Sequence, residues 1–198
     1  LEELSPVSMD VKRQKHLASL AVVVVLDKSG SMAAPVDATS GIEKMQLANE
    51  GACEVAKLLD DQDLAMLGVC DTEVRWVDDY TRVIPMTAVN KKKLMSGIRT
   101  VQAGGGGINC NTALTHAYDM VRTANTMSKH VVMFGDASDC DQQHGCVEMA
   151  ADMYARFGIT TSVMGLGLPT DVHAQFQRDV AKAGHGRCFI TDNVKDLP

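Results

Sequence analysis

The chain has 198 residues, of which 45% are hydrophobic and 22% charged, so we expect one globular domain with a sizeable core rather than a disordered chain. Its 19 Lys and Arg residues against 25 Asp and Glu residues give a net charge of −6, which argues against nucleic-acid binding. The longest apolar run, residues 17–26, is too short to span a bilayer.

We expect residues 1–16 to be a polar lead-in segment and residues 17–198 to form a single domain. Because the sequence begins with Leu and stops without a closing element, it reads as a piece excised from a longer protein. Attachment to a membrane would then depend on segments outside this chain.

Runs of β-branched and apolar residues predict buried strands, and apolar residues at helical spacing predict helices between them. In chain order the predicted elements are a strand at 20–26, a helix at 44–59, a strand at 64–70, one or two edge strands within 75–86, a helix at 90–100, a helix from 111 or 112, a strand at 130–134, a helix at 147–154, a strand at 159–165, a helix at 172–183 and a strand at 187–191.

Helix caps and buried helix faces follow from the same patterns. Asn90 is expected to cap one helix, and Asn111 or Thr112 the next. The predicted buried stripes are Leu47, Gly51, Val55 and Leu58; Leu114, Ala117, Tyr118 and Val121; Val147, Ala150, Ala151 and Tyr154; and Val172, Phe176, Val180 and Ala183.

The regular alternation of strands and helices predicts an α/β fold, doubly wound, with a mainly parallel central sheet flanked by helices on both faces. Such sheets bind ligands at the carboxyl ends of their strands. Three segments therefore become candidates for a site: the loop after Leu26, the glycine run 104–107 and the loop after Phe134.

Oxygen-bearing side chains stand at two of these strand ends. Asp27, Ser29 and Ser31 alternate after the first strand, and Asp136 follows the third buried strand. One carboxylate with two hydroxyls, joined by a second carboxylate, suits Mg²⁺, Mn²⁺ or Ca²⁺ better than zinc or copper. The alternative is a purely structural turn, in which Asp27 and the two serines bond only to backbone amides.

The segment Asp27-Lys28-Ser29-Gly30-Ser31-Met32 resembles the metal-ion-dependent adhesion site (MIDAS) of von Willebrand factor type A domains. The resemblance extends over about residues 18–198 and implies a Rossmann-like fold. It is nearest to a bacterial branch of membrane proteins that carry a glutamine-amidotransferase-like domain as well. The segments that carry the resemblance are residues 6–9, 25–32, 103–107, 134–139 and 191–198.

The resemblance implies that Asp27, Ser29, Ser31 and Asp136 surround a divalent cation, most readily Mg²⁺, together with a Thr after the glycine run. The sequence departs from the pattern at that Thr, because counting from either side places Gly107 or Ile108 there. Thr112 lies several residues later and is kept as a fifth candidate ligand. This departure leaves open a degenerate site without metal.

Smaller features of the sequence are open to more than one interpretation. Asp71 follows the second buried strand and is either a turn residue or a water-mediated member of the site, while Asp139 is either near the site or on the surface. Cys140 and Cys146 flank a polar loop, where a disulfide is possible in an oxidising compartment. The other cysteines are expected to be buried thiols.

The leading hypothesis is a non-enzymatic, adhesion-type module whose cation binds an exposed Asp or Glu of a partner protein. The resemblance places it in a membrane-associated bacterial protein, with a periplasmic location as one option. One alternative is a metal-independent scaffold or sensor. Another is a phosphotransferase of the haloacid dehalogenase type, disfavoured because Ser29 stands where the general acid is needed.

Overall fold

The computed structural model describes residues 20–36, 41–78 and 80–192. The predicted lead-in at 1–16 and the last six residues lie outside the described residues. The strands are β1 Leu20–Asp27, β2 Leu64–Cys70, β3 Val74–Trp76, β4 Ile84–Pro85, β5 Ser128–Asp136, β6 Ile159–Leu166 and β7 His185–Thr191. The helices are α1 Lys44–Leu58, α2 Ala88–Ile98, α3 Cys110–Arg122, α4 Cys146–Phe157 and α5 Ala174–Ala183, with a 3₁₀ turn at Gly30–Ala33.

In the described part of the chain, seven strands form one sheet with the order β3-β2-β1-β5-β6-β7, and β4 also pairs with β2. The strands β2, β1, β5, β6 and β7 are mutually parallel, while β3 and β4 run antiparallel to β2. The predicted doubly wound, mainly parallel α/β fold is therefore confirmed, and residues 75–86 supply edge strands as expected.

The central strand β1 is buried on both faces because its Val-rich sequence sends alternate side chains to opposite sides. Ala21, Val23 and Val25 pack in a core with residues of α3, α4 and α5. Val22 and Val24 pack in a second core with residues of α1 and α2. Helices therefore cover both faces of the sheet, and the carboxyl ends of β1 and β5 are left to carry the loops of the candidate site.

Several local expectations about the helices are wrong. The cap of α2 is Thr87, whose side chain accepts a hydrogen bond from the Asn90 N–H, so Asn90 lies inside the helix. The cap of α3 is Asn109, not Asn111 or Thr112, and its Oδ1 accepts the Thr112 N–H at 3.0 Å. Because a cap needs extended backbone followed by a free amide two or three residues on, each cap falls a few residues earlier than the sequence pattern indicated.

Three predicted stripe residues are exposed. Leu58 ends α1 and is 81% exposed, and Val172 precedes α5 and is 75% exposed. Ala151 on α4 is exposed as well, whereas Ala150 is fully buried.

No helix in the described ranges is long and apolar enough to cross a membrane.

Candidate metal centre

The parallel register of β1 and β5 brings the two strand-end carboxylates together. Leu26 pairs with Phe134, so both strands reach the same edge of the sheet. The Asp136 N–H donates to Asp27 Oδ2 at 3.3 Å, and both aspartates are fully buried. The strand-end rule therefore predicted the position of both acids correctly.

The loop after β1 turns both serine hydroxyls toward each other. The Ser29 N–H donates to Asp27 Oδ1 at 2.8 Å, which fixes the turn. The Oγ atoms of Ser29 and Ser31 lie 3.0 Å apart. Ser29 is fully buried whereas Ser31 is partly exposed, so this pair of hydroxyls lies between the buried carboxylates and the surface.

The two carboxylate oxygens of Asp136 have unequal surroundings. Oδ1 accepts hydrogen bonds from the Ser138 N–H at 2.8 Å and the Ser138 hydroxyl at 2.7 Å, and it pairs with Lys44 Nζ at 2.7 Å. Oδ2 is buried and has no hydrogen-bond partner among the described residues. An unpartnered buried carboxylate oxygen is costly, so this atom fits a site that a cation or its bound water completes.

Burial also destabilises the charged form of Asp27. Removal from water raises the pKa of Asp27 from its ordinary value of 3.8 to about 6, although hydrogen bonds from Ser29 and the Asp136 N–H oppose the rise. The negative charge of Asp136 adds to it. A divalent cation beside these two carboxylates would lower that pKa again, because it stabilises both ionised groups.

The glycine run packs against this loop and is held there by Lys28. The Gly104 N–H donates to the Lys28 carbonyl at 2.8 Å, and Lys28 Nζ donates to the Gly104 carbonyl at 2.8 Å and pairs with Asp71 Oδ2 at 3.0 Å. Gly105 has φ +118°, and a Cβ there would lie 2.7 Å from Asp71 Oδ2, so only glycine fits.

The Asp71 carboxylate has the hydrogen bonds of a turn residue. Its Oδ1 accepts the N–H groups of Thr72 and Glu73, at 2.6 Å and 3.2 Å. The hydrogen bond from Lys28 is the main cause that lowers the pKa of Asp71 to about 2. Of the two interpretations made from the sequence, the turn is thus supported by its hydrogen bonds.

The two residues at the family's Thr position, Gly107 and Ile108, have no ligating side chain. Ile108 is fully buried in the core that contains α3, and Asn109 Oδ1 is occupied as the helix cap. Gly107 has no side chain, and a Cβ on it would lie 2.4 Å from Asp141 Oδ2. Thr112 lies in α3, and its hydroxyl forms no hydrogen bond within the described ranges.

The structure therefore brings together Asp27, Ser29, Ser31 and Asp136, and no hydrogen bond among the described residues links Thr112 to this set. No cluster of three or more His, Cys, Asp or Glu side chains with metal-binding geometry occurs among the described residues. The candidate set contains two carboxylates and two hydroxyls, which is a donor set for a hard cation.

Cys140 and Cys146 are both free and buried, so the disulfide considered from the sequence is not present. Cys140 Sγ donates to the Asp136 carbonyl at 3.1 Å, and Cys146 Sγ donates to the Gln142 carbonyl at 3.6 Å. Both thiols therefore bond to backbone carbonyls of the segment between β5 and α4.

Sequence reasoning missed both Lys44 and Ser138, which contact Asp136 Oδ1, and Lys44 is the one that carries a charge. It is the first residue of α1 and belongs to no ligand pattern considered above. Its burial beside Asp136 results from the folding of α1 against the sheet, and no local spacing signals it.

Comparison with known proteins places the chain in a family. The family description "von Willebrand factor type A domain" matches residues 22–138, more than half of the chain, and the chain belongs to that family. The matched range includes all four residues that lie together at the strand ends. No curated protein sequence matches the chain.

Solved structures share the fold at low sequence identity. A von Willebrand factor type A protein from Catenulispora acidiphila aligns with TM-score 0.75 and 20% identity over 91% of this chain and 40% of its own. An aerotolerance-related membrane protein from Bacteroides fragilis aligns with TM-score 0.69 and 16% identity, over 89% and 93%. Manganese-loaded TRAP from Plasmodium vivax aligns with TM-score 0.62 and 15% identity, over 83% and 63%. This chain thus spans less than half of the first of these proteins.

Proposed function

We propose that this domain binds an exposed Asp or Glu of a partner protein through a divalent cation held by Asp27, Ser29, Ser31 and Asp136. Domains of this family are generally interaction modules rather than enzymes. The observation that carries the proposal is the buried, unpartnered Asp136 Oδ2, which lies in the same centre as a second buried carboxylate and two neighbouring hydroxyls.

Mg²⁺ is the preferred cation, with Mn²⁺ or Ca²⁺ as alternatives. Carboxylate and hydroxyl oxygens are the ligands that these hard cations favour. TRAP, which shares the fold, is manganese-loaded in its solved structure. When bound, the cation would supply a Lewis-acidic position for an incoming carboxylate, while the four side chains hold it from the side of the protein.

The arrangement favours binding over phosphoryl transfer. Ser29 stands where a phosphotransferase of the haloacid dehalogenase type needs a general acid, and it is a neutral hydroxyl bonded to Ser31. A serine also leaves the cation less neutralised than a carboxylate would, which keeps it attractive to a partner's acid.

We also propose that the domain is part of a membrane-associated bacterial protein, attached through segments outside this chain. The resemblance to the bacterial branch supports this, as does the shared fold with a membrane protein of Bacteroides fragilis. Whether the domain faces the periplasm is tested by locating a tagged full-length protein after protease treatment of spheroplasts.

Calorimetric titration of the purified domain with Mg²⁺ and Mn²⁺ tests the metal site. We expect saturable binding by the wild type and its loss in the double variant Ser29→Ala/Ser31→Ala. Ser128→Ala is the matched control, because Ser128 begins β5 at the opposite edge of the sheet. Binding that survives in the double variant would contradict the proposed ligands.

The metal-independent alternative is favoured by one observation, the ion pair between Lys44 and Asp136. That pair already supplies a positive charge to one of the two carboxylates. If the wild type and the variants all fail to bind Mg²⁺ and Mn²⁺, a scaffold role becomes the better account of the domain.

A further inference from the structure

Lys44 is a buried cation at the candidate metal centre. Its Nζ lies 2.7 Å from Asp136 Oδ1 and 3.4 Å from Ser138 Oγ, and its side chain is only 10% exposed. Lysine is rarely this buried unless it is paired, because its charged form loses hydration. The ion pair is therefore a built feature of the site rather than a surface contact.

Backbone contacts fix Lys44 in this position. It is the first residue of α1, and its N–H donates at 3.0 Å to the carbonyl of Ala34, which follows the 3₁₀ turn carrying Ser31. The loop after β1 and the start of α1 thus place the ammonium group against the carboxylate at the end of β5. Lys44 thus links the two sides of the candidate centre, in addition to the hydrogen bond from the Asp136 N–H to Asp27.

The ion pair occupies only one of the two oxygens of the Asp136 carboxylate. Oδ1 is saturated by Lys44 and Ser138, whereas Oδ2 stays unpartnered and buried. A metal ion served by Oδ2 would lie close to the ammonium group, because the two oxygens belong to one carboxylate. Like charges at that separation repel strongly in a poorly hydrated site.

The net charge of the centre predicts which groups bind to it together. Without metal, Lys44 neutralises one of the two carboxylates, Asp27 and Asp136. With a divalent cation, the centre carries one excess positive charge, which one carboxylate from a partner protein would cancel.

We propose that Lys44 is a tethered cation that keeps the centre assembled without metal and weakens its affinity for metal alone. This inference rests on the proposed metal site. It adds that metal and the partner's carboxylate bind cooperatively. The bound metal leaves one excess positive charge in the centre, and the partner's negative carboxylate cancels that charge. Lys44 is a positioning residue in this account, since it acts on the metal through Asp136.

The test compares wild type, Lys44→Met and Lys57→Met. Lys57 lies near the end of the same helix in an exposed ion pair with Glu54, so it controls for the loss of a lysine from α1. Two quantities are measured: the midpoint of thermal unfolding in excess EDTA, and the Mg²⁺ affinity by calorimetry with the metal alone.

We expect Lys44→Met to unfold at a lower temperature than both other proteins in EDTA, to bind Mg²⁺ at least tenfold more tightly than wild type, and to regain stability when Mg²⁺ is added. Tighter binding by Lys44→Met with no detectable binding by wild type would equally support the inference. Binding by wild type that is unchanged or weaker in Lys44→Met would overturn it while leaving the metal site standing. No binding by any of the three proteins would overturn the proposed function itself.

If Lys44→Met leaves too little folded protein in EDTA, Lys44→Gln replaces it. Glutamine keeps a hydrogen-bond donor for Asp136 Oδ1 without the charge. Tighter Mg²⁺ binding by Lys44→Gln than by wild type carries the same meaning, and equal or weaker binding overturns the inference.

Discussion

Substitution of Asp27 by Asn is predicted to have opposite effects on stability with and without metal. In the absence of metal, the pKa of Asp27 is raised from 3.8 to about 6 mainly by burial. This difference corresponds to roughly 3 kcal/mol of unfavourable free energy when the carboxylate is ionised at neutral pH. Asn carries no charge and avoids that cost.

Part of this gain is offset, because Asn has one acceptor oxygen where Asp has two. It keeps either the 2.8 Å bond from the Ser29 N–H or the 3.3 Å bond from the Asp136 N–H. A lost hydrogen bond costs about 1 kcal/mol, so we expect Asp27→Asn to stabilise the metal-free domain by about 2 kcal/mol.

Urea unfolding at neutral pH in excess EDTA measures this effect, with Asp152→Asn as a control on the exposed face of α4. In Mg²⁺ at about 100 times its dissociation constant the wild type gains about 2.7 kcal/mol that Asp27→Asn lacks. The difference in the free energy of unfolding between Asp27→Asn and wild type should therefore shrink or change sign. A variant that is less stable than wild type in EDTA would refute the reasoning.

The raised pKa of Asp27 also fixes the sign of a pH dependence. Between about pH 4 and pH 6 the folded protein binds more protons than the unfolded chain, so the free energy of unfolding falls as the pH rises through that window. In EDTA, this decrease should be present in wild type and absent in Asp27→Asn. Equal slopes for the two proteins would contradict the assignment to Asp27.

Three further predictions concern residues outside the candidate centre. Since Lys28 lowers the pKa of Asp71 to about 2, the Asp71 carboxylate stabilises the fold above about pH 4 and loses this effect as the pH falls toward 2. In an acid titration followed by circular dichroism, Asp71→Asn should therefore show a smaller loss of stability between pH 4 and pH 2 than wild type. Tyr118→Phe breaks a buried 2.7 Å bond to Thr161 Oγ1 and should cost about 1–3 kcal/mol in urea unfolding, much of it recovered by adding Thr161→Val; no recovery would contradict the pairing. Gly186→Ala would place a Cβ 2.1 Å from the Thr161 carbonyl oxygen and should cost more than about 3 kcal/mol in thermal unfolding, whereas a neutral effect would contradict the packing of β7 on β6.

Features that depend on local pattern could be predicted from the sequence. The Val run of β1 defines a doubly buried strand, and strand-end logic then places Asp27 and Asp136 at one edge of the sheet. The serine pair follows from the spacing within the loop. These predictions work because strand periodicity and parallel pairing leave few alternatives.

Features that depend on tertiary packing could not be predicted in this way. A lysine at the start of an amphipathic helix is ordinarily solvated, yet Lys44 is buried because α1 begins beside the end of β5. The caps Thr87 and Asn109 were missed because their neighbours Asn90 and Thr112 are also polar, and the backbone conformation decides between them. Because Gly107 or Ile108 stands at the position of the family's Thr, counting residues along the sequence does not identify a fifth ligand.

The most direct test of the central claim is a crystal of the domain soaked in Mn²⁺ and measured at a wavelength where manganese scatters anomalously. The account predicts one anomalous peak at the carboxyl ends of β1 and β5, within about 2.2 Å of the Oγ atoms of Ser29 and Ser31 and within reach of Asp27 and Asp136 directly or through one water. A fully soaked crystal without a peak there, or with its main peak elsewhere, would contradict the claim that this edge of the sheet is a metal centre.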